Sequence, residues 1–593
     1  MSNPLKQEQS LELAVVSNCN FSALIDRKAQ VVWSCFPRFD GDPVFCSLLK
    51  RSTSTSSDIG FFDVLVPGLQ KTEQSYLKNT AILSTKLHTA DSSLEIVDFC
   101  PRFESADRDY RPNMLVRIIR PLKGRPRAQI RLRPTFGYGW GTPEKTRGSN
   151  HIRYLLSNLT IRLTTNAPIS YVVDEVLFEV DEPLYLVLMP DDSLKQPLSE
   201  LAESYLVKTT NFWKNWTRAL TIPFEWQEPV LRAAITLKAM HFEETGALVA
   251  ALTTSVPTGP NGENKDHRYC WLRNSSQVVH ALNNLGATAT MESYLNFLSN
   301  IVADYTEKDA GDKRIQSVYG LSLETRLFER DMHRLPGYRG LGPVKLGTQD
   351  AEQSSPAGYG TIILALTQTF FDHRLKKMGD VFLFERLETL GEHSKNSYAT
   401  SDKGEVNTSA SVLAWAAADR LSKIAKKLEK NDRAQYWSTV ASEIHGSILS
   451  KAWNAQLNSF TSHWGGQEVT AELLSIVDLG FVSPSDDKYK GTLDRIEKDL
   501  VKKGFVLQKK DSSISKNSDT FRYIRALAAA GRTKEARELF EKALQNVNHA
   551  GLISETVHTE SGELWGNFPH NTATVGLIEC ASALSSSWAD LYQ

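Results

Sequence analysis

The stretch SASVLAWAAADRLSKIAKKLEKN (residues 409–431) decides the fold of the larger part of this chain. Its apolar residues recur at intervals of about three and four, a spacing typical of an amphipathic helix. Lysine, arginine and aspartate occupy the positions between them. The stretch therefore predicts a helix that buries one stripe in a core, and this stripe consists of Val412, Trp415, Ala416, Leu421, Ile424 and Leu428.

Similar stretches surround it on both sides, separated by loops that contain glycine and proline. They cover residues 227–242, 275–286, 360–379, 433–454 and 519–545. No fixed period of a helical repeat relates them to one another, which argues against a solenoid. A long series of paired helices of this kind favours a closed helical barrel, whose site lies where the loops between the helices converge.

The first 200 or so residues have a different pattern. Short β-branched and aromatic segments, such as 22–36 and 128–140, are separated by turn pairs such as Asp40-Gly41. Many short strands without helices between them predict an antiparallel β-sandwich. We therefore predict a β-sandwich domain at 1–195, a helical linker at 196–225 and a helical barrel domain that carries the pocket at 226–593.

Composition excludes several classes of protein. The 593 residues include 68 basic and 69 acidic ones, a net charge of −1, so neither a nucleic acid nor a membrane is expected as a partner. The six cysteines are scattered without a CxxC pair, which supports neither a disulfide framework nor a structural zinc site. The start, MSNPLKQEQSLELAVVS, lacks the pattern of a signal peptide, which predicts a cytoplasmic location.

Several loops carry a resemblance to a known family. NKDHRYCWLRNSSQVVHALNNLG (264–286), GYRGLGPVKLGTQDAEQSSPAGYG (337–360) and GLISETVHTESGELWGNFPH (551–570) resemble the signature loops of glycoside hydrolase family 15. This family contains glucoamylases, glucodextranases and bacterial-type trehalases. The segments 31–49 and 246–257 are similar to the bacterial members, in the same order along the chain.

The resemblance implies an N-terminal antiparallel β-sandwich followed by an all-α (α/α)6 barrel, with a pocket at the barrel mouth. It implies inverting hydrolysis of α-glucosidic bonds by two carboxyl groups, one acting as acid and the other as base. It implies no metal and no other cofactor. The substrate it implies is a small molecule of carbohydrate type.

The position of the base is retained in this chain. In the family the base is a glutamate that follows a small residue, in the loop that ends in a Gly-Asn-Phe-Pro turn. Glu555 stands at this position. Glu560 and Glu563, on the same loop, are expected to be structural or exposed.

The position of the acid is changed. The family carries a Trp-Glu pair upstream of the helix at 409–431, and ungapped alignment places that pair on Tyr398-Ala399. Alanine cannot donate a proton. A gap in the alignment would bring Glu405 or Asp402 into the role of a substitute acid.

Other positions that contact sugar in the family are also altered. Arg273 is kept, but it is followed by Asn274 instead of an aspartate, which loses charge-assisted hydrogen bonds. Lys265-Asp266 replaces a Trp-Asp step, and His570 replaces a glutamine. Gln353 is kept, whereas later polar positions have become Ser355 and Ala357. The retained hydrophobic framework consists of Tyr269, Trp271, Tyr359, Trp415 and Phe568. Its last four members and Tyr398 are predicted as further substrate contacts.

These changes predict a pocket that has been rebuilt. The main hypothesis is an enzyme of altered chemistry that uses Glu555 as acid or base in an elimination, isomerisation, cyclisation or atypical hydrolysis of a small molecule. One alternative is an ordinary inverting α-glucosidase, glucoamylase or trehalase, with Glu555 as base and Glu405 or Asp402 as acid. The other is a non-catalytic protein that binds a ligand or regulates a partner.

Overall fold

The computed structural model describes residues 9–50, 59–306, 314–352, 356–399, 405–508, 512–587 and 589. Its N-terminal part is built of antiparallel strands. They are β1 (Leu13–Ser17), β2 (Ser22–Asp26), β3 (Val31–Phe36), β4 (Asp42–Phe45), β5 (Phe61–Leu65), β6 (Lys71–Tyr76), β7 (Leu83–His88), β8 (Ser93–Phe99), β9 (Phe103–Ser105), β10 (Arg108–Tyr110), β11 (Leu115–Lys123), β12 (Arg127–Arg133), β13 (Glu144–Arg147), β14 (His151–Leu155), β15 (Thr160–Thr165), β16 (Phe178–Glu179) and β17 (Leu184–Pro190).

These strands form two large sheets and a small hairpin. One sheet has the order β1-β2-β3-β5-β12-β16, with β4 paired to β3, and the other has the order β13-β14-β15-β17-β11-β8-β7-β6. Apolar side chains of both sheets, such as Ile25 and Leu186, belong to one buried core. Two antiparallel sheets that share a core are a β-sandwich, as the sequence predicts.

The rest of the chain is mainly helical. The helices are α1 (Ile169–Val173), α2 (Leu198–Arg218), α3 (Gln227–Ala239), α4 (Ser275–Asn284), α5 (Thr288–Thr306), α6 (Pro356–Phe371), α7 (Val381–Ser397), α8 (Thr408–Lys427), α9 (Asn431–Lys451), α10 (Asp487–Leu500), α11 (Asn517–Ala529), α12 (Thr533–Ala543) and α13 (Asn571–Leu584). Helix α1 belongs to the N-terminal part of the chain, where it lies between β15 and β16. Helix α2 packs its apolar face on the second sheet, where Leu198 and Tyr205 lie against a buried cluster that includes the strand residues Val97 and Val187.

The helices from α3 onwards close into a barrel. Its inner ring runs α4-α6-α8, then a short 3-10 turn (Ala471–Ile476), then α11 and α13, and α13 packs back against α4. The remaining helices of this region pack outside that ring. Helix α8 confirms the amphipathic prediction, since Val412, Ala416, Leu421 and Ile424 are buried in the barrel core.

Short strands connect the barrel helices. They are β18 (His241–Phe242), β19 (Ala247–Leu248), β20 (Cys270–Trp271), β21 (Val318–Tyr319), β22 (Arg330–Met332), β23 (Val344–Leu346), β24 (Trp453–Asn454), β25 (Ser459–Phe460), β26 (Val501–Lys502), β27 (Phe505–Val506), β28 (Ile514–Lys516), β29 (Thr556–His558) and β30 (Leu564–Trp565). The sheet β28-β29-β30 fixes the loop that carries Glu555. Within the described residues, no helix combines the length and the apolar character that crossing a bilayer requires.

Candidate active site

A large cavity opens where the inner helices of the barrel begin. Its volume is about 1520 Å³, and residues along the inner helices α4, α6, α8 and α11 line it. In an (α/α)6 barrel the loops before the inner helices converge at one end, which makes this cavity the default candidate for a binding site.

Seven residues that the sequence predicts as site residues line the cavity. They are Lys265, Trp271, Arg273, Asn274, Tyr359, Tyr398 and Glu405. Three of them are held by neighbouring side chains. Arg273 pairs with Glu472, Nζ of Lys265 lies 2.9 Å from Oδ2 of Asp350, and the Asn274 amide donates to Oγ1 of Thr572 at 3.2 Å. Polar contacts therefore hold these three side chains in place at the cavity wall.

Aromatic rings form one side of the cavity. The ring of Tyr359 stacks on His393 with centroids 5.8 Å apart, and Tyr305 meets Tyr359 edge-on at 5.9 Å. Trp271 and Tyr398 extend this aromatic surface. Flat aromatic faces beside hydrogen-bonding groups suit the alternating apolar and polar faces of a sugar ring.

The cavity also contains carboxylates that the sequence reasoning did not single out. They are Asp350, Glu352, Glu472, Asp478 and Glu579. Arg525 lies between two of them, 2.6 Å from Oε2 of Glu579 and 3.1 Å from Oδ1 of Asp478. Burial raises the pKa of Asp478, although the charge of Arg525 opposes this shift.

The structure brings one of the two substitute acids to the cavity. Glu405 lies just before the N-cap Asn407 of α8, is exposed, and makes no ion pair or side-chain hydrogen bond within the part of the chain that the structure describes. Asp402 lies outside the described residues, as do Gln353 and Ser355. Ala399, at the position aligned with the family's acid, is exposed in the turn after α7.

Glu555 lies behind the cavity wall and is absent from the described residues that line it. Its carboxylate accepts a hydrogen bond from the backbone N–H of Asn567 at 3.3 Å, and Oε2 lies 3.6 Å from Nδ1 of His267. His267 contacts Trp271, a wall residue, with ring centroids 5.1 Å apart. Glu555 is thus linked to the cavity wall through His267.

Two histidines flank Glu555. The rings of His267 and His570 lie 5.6 Å apart, and each residue is 8% exposed. Burial lowers the pKa of His267 to about 4 and that of His570 to about 4, so both imidazoles are neutral at pH 7. His267 is a residue that the sequence reasoning did not select.

Three other predicted contacts lie away from the cavity. Asp266 is fully buried and pairs with Arg268 at 2.7 Å. Phe568 is fully buried in the hydrophobic core. Trp415 lines a separate, smaller cavity between α8 and α9, where it packs against His445 and Phe481. The structure therefore places these three side chains where they support the fold.

Comparison with known sequences agrees with this architecture. Residues 226–524 match the family model "Glycosyl hydrolases family 15", and residues 6–182 match "Trehalase-like, N-terminal". A trehalase of Thermoplasma volcanium is 27% identical, over 96% of this chain and 93% of its own length. A trehalase of Mycobacterium tuberculosis is also 27% identical, over 96% of this chain and 88% of its own.

A solved structure supports the same fold. A bacterial glucoamylase, determined in complex with acarbose, superposes with a TM-score of 0.64 at 13% identity, covering 98% of this chain and 96% of its own. At that identity the likeness concerns the fold alone: a β-sandwich followed by an (α/α)6 barrel. Because the family model covers half of the residues, this chain belongs to glycosyl hydrolase family 15.

Proposed function

We propose that the chain binds trehalose or a related α-linked glucoside in the barrel cavity and hydrolyses it with inversion. The observation that carries this proposal is end-to-end similarity to relatives named trehalase, which extends over 94–96% of the chain. The polar, partly aromatic lining of the cavity supports a carbohydrate ligand. This reaction is the ordinary alternative of the sequence analysis, and the comparisons favour it over altered chemistry.

In this proposal Glu405 is the acid and Glu555 is the base. Inversion needs an acid that protonates the leaving oxygen and a carboxylate, about 6.5–9.5 Å away, that activates a water. The exposed side chain of Glu405 is not held by another side chain among the described residues, so it can turn towards a bound substrate. Asp478 is the second candidate for the acid, because its carboxyl group also lines the cavity.

The base needs access to the cavity. Glu555 is 9% exposed and lies behind His267 and Trp271. Hydrolysis requires a water between its carboxylate and the substrate, so the wall at Trp271 has to open when the substrate binds. The proposal therefore includes a rearrangement of Trp271.

A second candidate function is altered chemistry that needs one acid–base group. The observation that favours it is Ala399 at the position aligned with the family's acid. A single carboxylate at Glu555 suffices for an elimination or isomerisation, or for hydrolysis with a leaving group that needs no proton. In this case hydrolysis of unactivated glucosides is absent.

The experiment is an anomer-resolved NMR assay with trehalose, maltose, isomaltose and a nitrophenyl α-glucoside. The expected result is release of β-glucose, abolished by Glu555→Gln and lowered at least a hundredfold by Glu405→Gln, in line with the 10²–10⁴-fold contribution of a general acid. Asp478→Asn tests the second acid. Glu352→Gln, another exposed carboxylate of the cavity, is the matched control and should retain activity.

The outcomes separate the functions. If glucose is released from the nitrophenyl α-glucoside but from none of the other three substrates, the altered chemistry with one acid–base group is supported, because nitrophenolate leaves without a proton. Binding of trehalose by calorimetry without release of glucose from any of the four substrates overturns hydrolysis and supports a ligand-binding role. Unchanged activity of Glu555→Gln removes Glu555 from the mechanism.

A further inference from the structure

The cavity continues far into the barrel along its inner helices. Its lining follows α6 from Tyr359 to Phe371 and α8 from Ser409 to Arg420. At a rise of about 1.5 Å per residue, these stretches are about 18 Å and about 16 Å long. Phe371 is the last residue of α6. The cavity therefore extends well beyond the loops at the barrel mouth.

The size of the cavity exceeds what one small ligand needs. It measures about 1520 Å³, whereas a site for one small ligand typically measures roughly 300–1,000 Å³. Arg273, Tyr359 and Glu405 lie before the inner helices or in their first turns, and they line the outer part of the cavity. A substrate held by these residues leaves the inner part available to a second molecule.

Polar side chains from five inner helices and from the segment after the 3-10 turn line this inner part. We call it the inner site, and its residues are His280, Gln368, Arg420, Asp478, Arg525 and Glu579. Among those on helices, His280 is nearest to the start of its helix, five residues after Ser275, which corresponds to about 8 Å along the axis. The inner site is therefore separate in position from the residues at the mouth.

The charged groups of the inner site are already paired with one another or with a neighbour. Nη1 of Arg525 lies 2.6 Å from Oε2 of Glu579, and its Nη2 lies 3.1 Å from Oδ1 of Asp478. Arg420 pairs with Asp419. An ionic ligand has to compete with these pairs, and burying a charge without a partner costs free energy. The inner site therefore favours an uncharged ligand.

Uncharged hydrogen-bonding atoms remain open in the inner site. Nδ1 of His280 lies 3.0 Å from Oε1 of Glu579, which places the imidazole proton on Nδ1 and leaves Nε2 as an acceptor, and this side chain is 56% exposed. Gln368 donates from Nε2 to Oδ2 of Asp372 at 2.8 Å, whereas its carbonyl oxygen accepts no hydrogen bond from the residues that the structure describes. Leu364 adds an apolar surface. This combination matches hydroxyl groups on an apolar ring.

We propose that the inner site binds a second molecule that is uncharged and rich in hydroxyl groups, a monosaccharide or polyol such as glucose. Nε2 of His280 and the carbonyl oxygen of Gln368 accept hydrogen bonds from its hydroxyl groups, and Leu364 contacts a C–H face of its ring. The inner site goes beyond the proposed hydrolysis and does not rest on it, because its occupancy can be measured without any turnover.

The test measures how fast methyl methanethiosulfonate, a small thiol reagent, modifies a cysteine introduced at the cavity wall of the full chain. The six cysteines of the chain are all buried, so the background is low. Thr367→Cys reports on the inner site and Ser409→Cys on the outer part, since both residues line the cavity and both changes nearly preserve side-chain size. Glucose is the probe, and glucuronate is its charged analogue.

The expected result is that saturating glucose slows modification of Thr367→Cys at least threefold. Glucuronate should need at least a tenfold higher concentration for the same protection. His280→Leu and Gln368→Leu, each combined with Thr367→Cys, should raise the glucose concentration for half-protection at least tenfold. Neither should change the protection of Ser409→Cys.

Asn396→Leu is the matched control for these variants. Asn396 is a polar wall residue at the end of α7, on the side of the mouth, so its replacement should leave the protection of Thr367→Cys unchanged. Circular dichroism identifies a variant that does not fold, and one folded variant of His280 or Gln368 suffices for the test.

Three results overturn the proposal. One is unprotected Thr367→Cys even at molar concentrations of glucose, whether or not Ser409→Cys is protected. Another is protection that persists in the folded His280→Leu and Gln368→Leu proteins, because sugar at the mouth then merely blocks the reagent. The third is equal protection by glucuronate, which contradicts an uncharged ligand. Protection as expected without release of glucose from any glucoside would instead contradict only the proposed hydrolysis.

Discussion

Gly566 lies directly against Glu555. A Cβ atom built on Gly566 would stand 2.5 Å from Cβ of Glu555 and 3.0 Å from its Oε2, and Gly566 has a φ of +79°. The glycine therefore serves two purposes: it adopts a left-handed backbone and it leaves room for the carboxylate. Any other residue at this position has to push Glu555 out of place.

We expect Gly566→Ala to disturb Glu555 more than it disturbs the fold. The left-handed backbone costs alanine about 1–2 kcal/mol. Gly562→Ala is the control, because Gly562 has a φ of +72° and no neighbour within 4 Å of a Cβ. Release of β-glucose should fall at least tenfold in Gly566→Ala and stay near wild type in Gly562→Ala. Equal rates of β-glucose release in the two variants would contradict this role of Gly566.

A carboxyl group restored at residue 399 should raise hydrolysis. Ala399 is exposed in a turn beside the cavity residue Tyr398, so a longer side chain fits there. In the second candidate function, where no general acid is present, Ala399→Glu should increase the rate on trehalose by about 10²–10⁴-fold, the contribution of a general acid. The gain should be smaller on a nitrophenyl α-glucoside.

Ala399→Gln is the control for that change, because glutamine has nearly the same shape and cannot donate a catalytic proton. The two variants are compared at the optimum pH of each. A rate for Ala399→Glu no higher than that for Ala399→Gln would show that residue 399 does not face the scissile bond.

Sequence periodicity predicted those helices that bury one face. Helix α8 follows from the spacing of its apolar residues, and its exposed residues are Lys423, Lys426 and Lys427. Helix α13 did not stand out, because nearly every residue from 571 to 581 is buried and no polar face remains. The stretch 519–545, predicted as one helical segment, is two helices, because Gly531 adopts a φ of +83° between α11 and α12.

The site was predictable where motif residues are neighbours in the chain. Lys265, Trp271 and Arg273 reach the cavity together because one loop carries them. Trp415 does not reach it, since apolar spacing alone does not tell which helix face meets the barrel interior. Asp478 and Glu579 come from distant elements and both contact Arg525, a contact that no local sequence pattern predicts.

The contact between Arg525 and Glu579 should be important for stability. Glu579 is 6% exposed and Nη1 of Arg525 lies 2.6 Å from its Oε2. Glu579→Ala leaves a buried guanidinium with only Asp478, so we expect a loss of about 3–5 kcal/mol. Glu535→Ala is the control, because Glu535 is 43% exposed in its pair with Arg532 and should cost less than about 1 kcal/mol.

Urea denaturation followed by tryptophan fluorescence measures both variants. A loss of less than about 1 kcal/mol for Glu579→Ala would mean that Asp478 and solvent compensate the charge of Arg525 fully.

Stability at acid pH should depend on Glu243. Burial on its own would raise the pKa of this carboxyl, but the charges of Lys238 and Arg102 outweigh burial and lower the pKa to about 2. Because the ordinary pKa is 4.5, the folded state gains stability that is complete above pH 4.5 and is lost as the pH falls towards 2. The difference corresponds to on the order of 3 kcal/mol.

Glu243→Gln should therefore lower the midpoint of thermal unfolding at pH 7, and the deficit should shrink as the pH falls from 4.5 towards 2. Glu244→Gln is the control, because its neighbour Glu244 is exposed and should follow the wild-type profile. Thermal scans at pH 7, 4.5 and 3.5 give the comparison. A deficit that stays constant from pH 7 to pH 3.5 would show that ionisation of Glu243 does not contribute to folding, and that only the shape of its side chain matters.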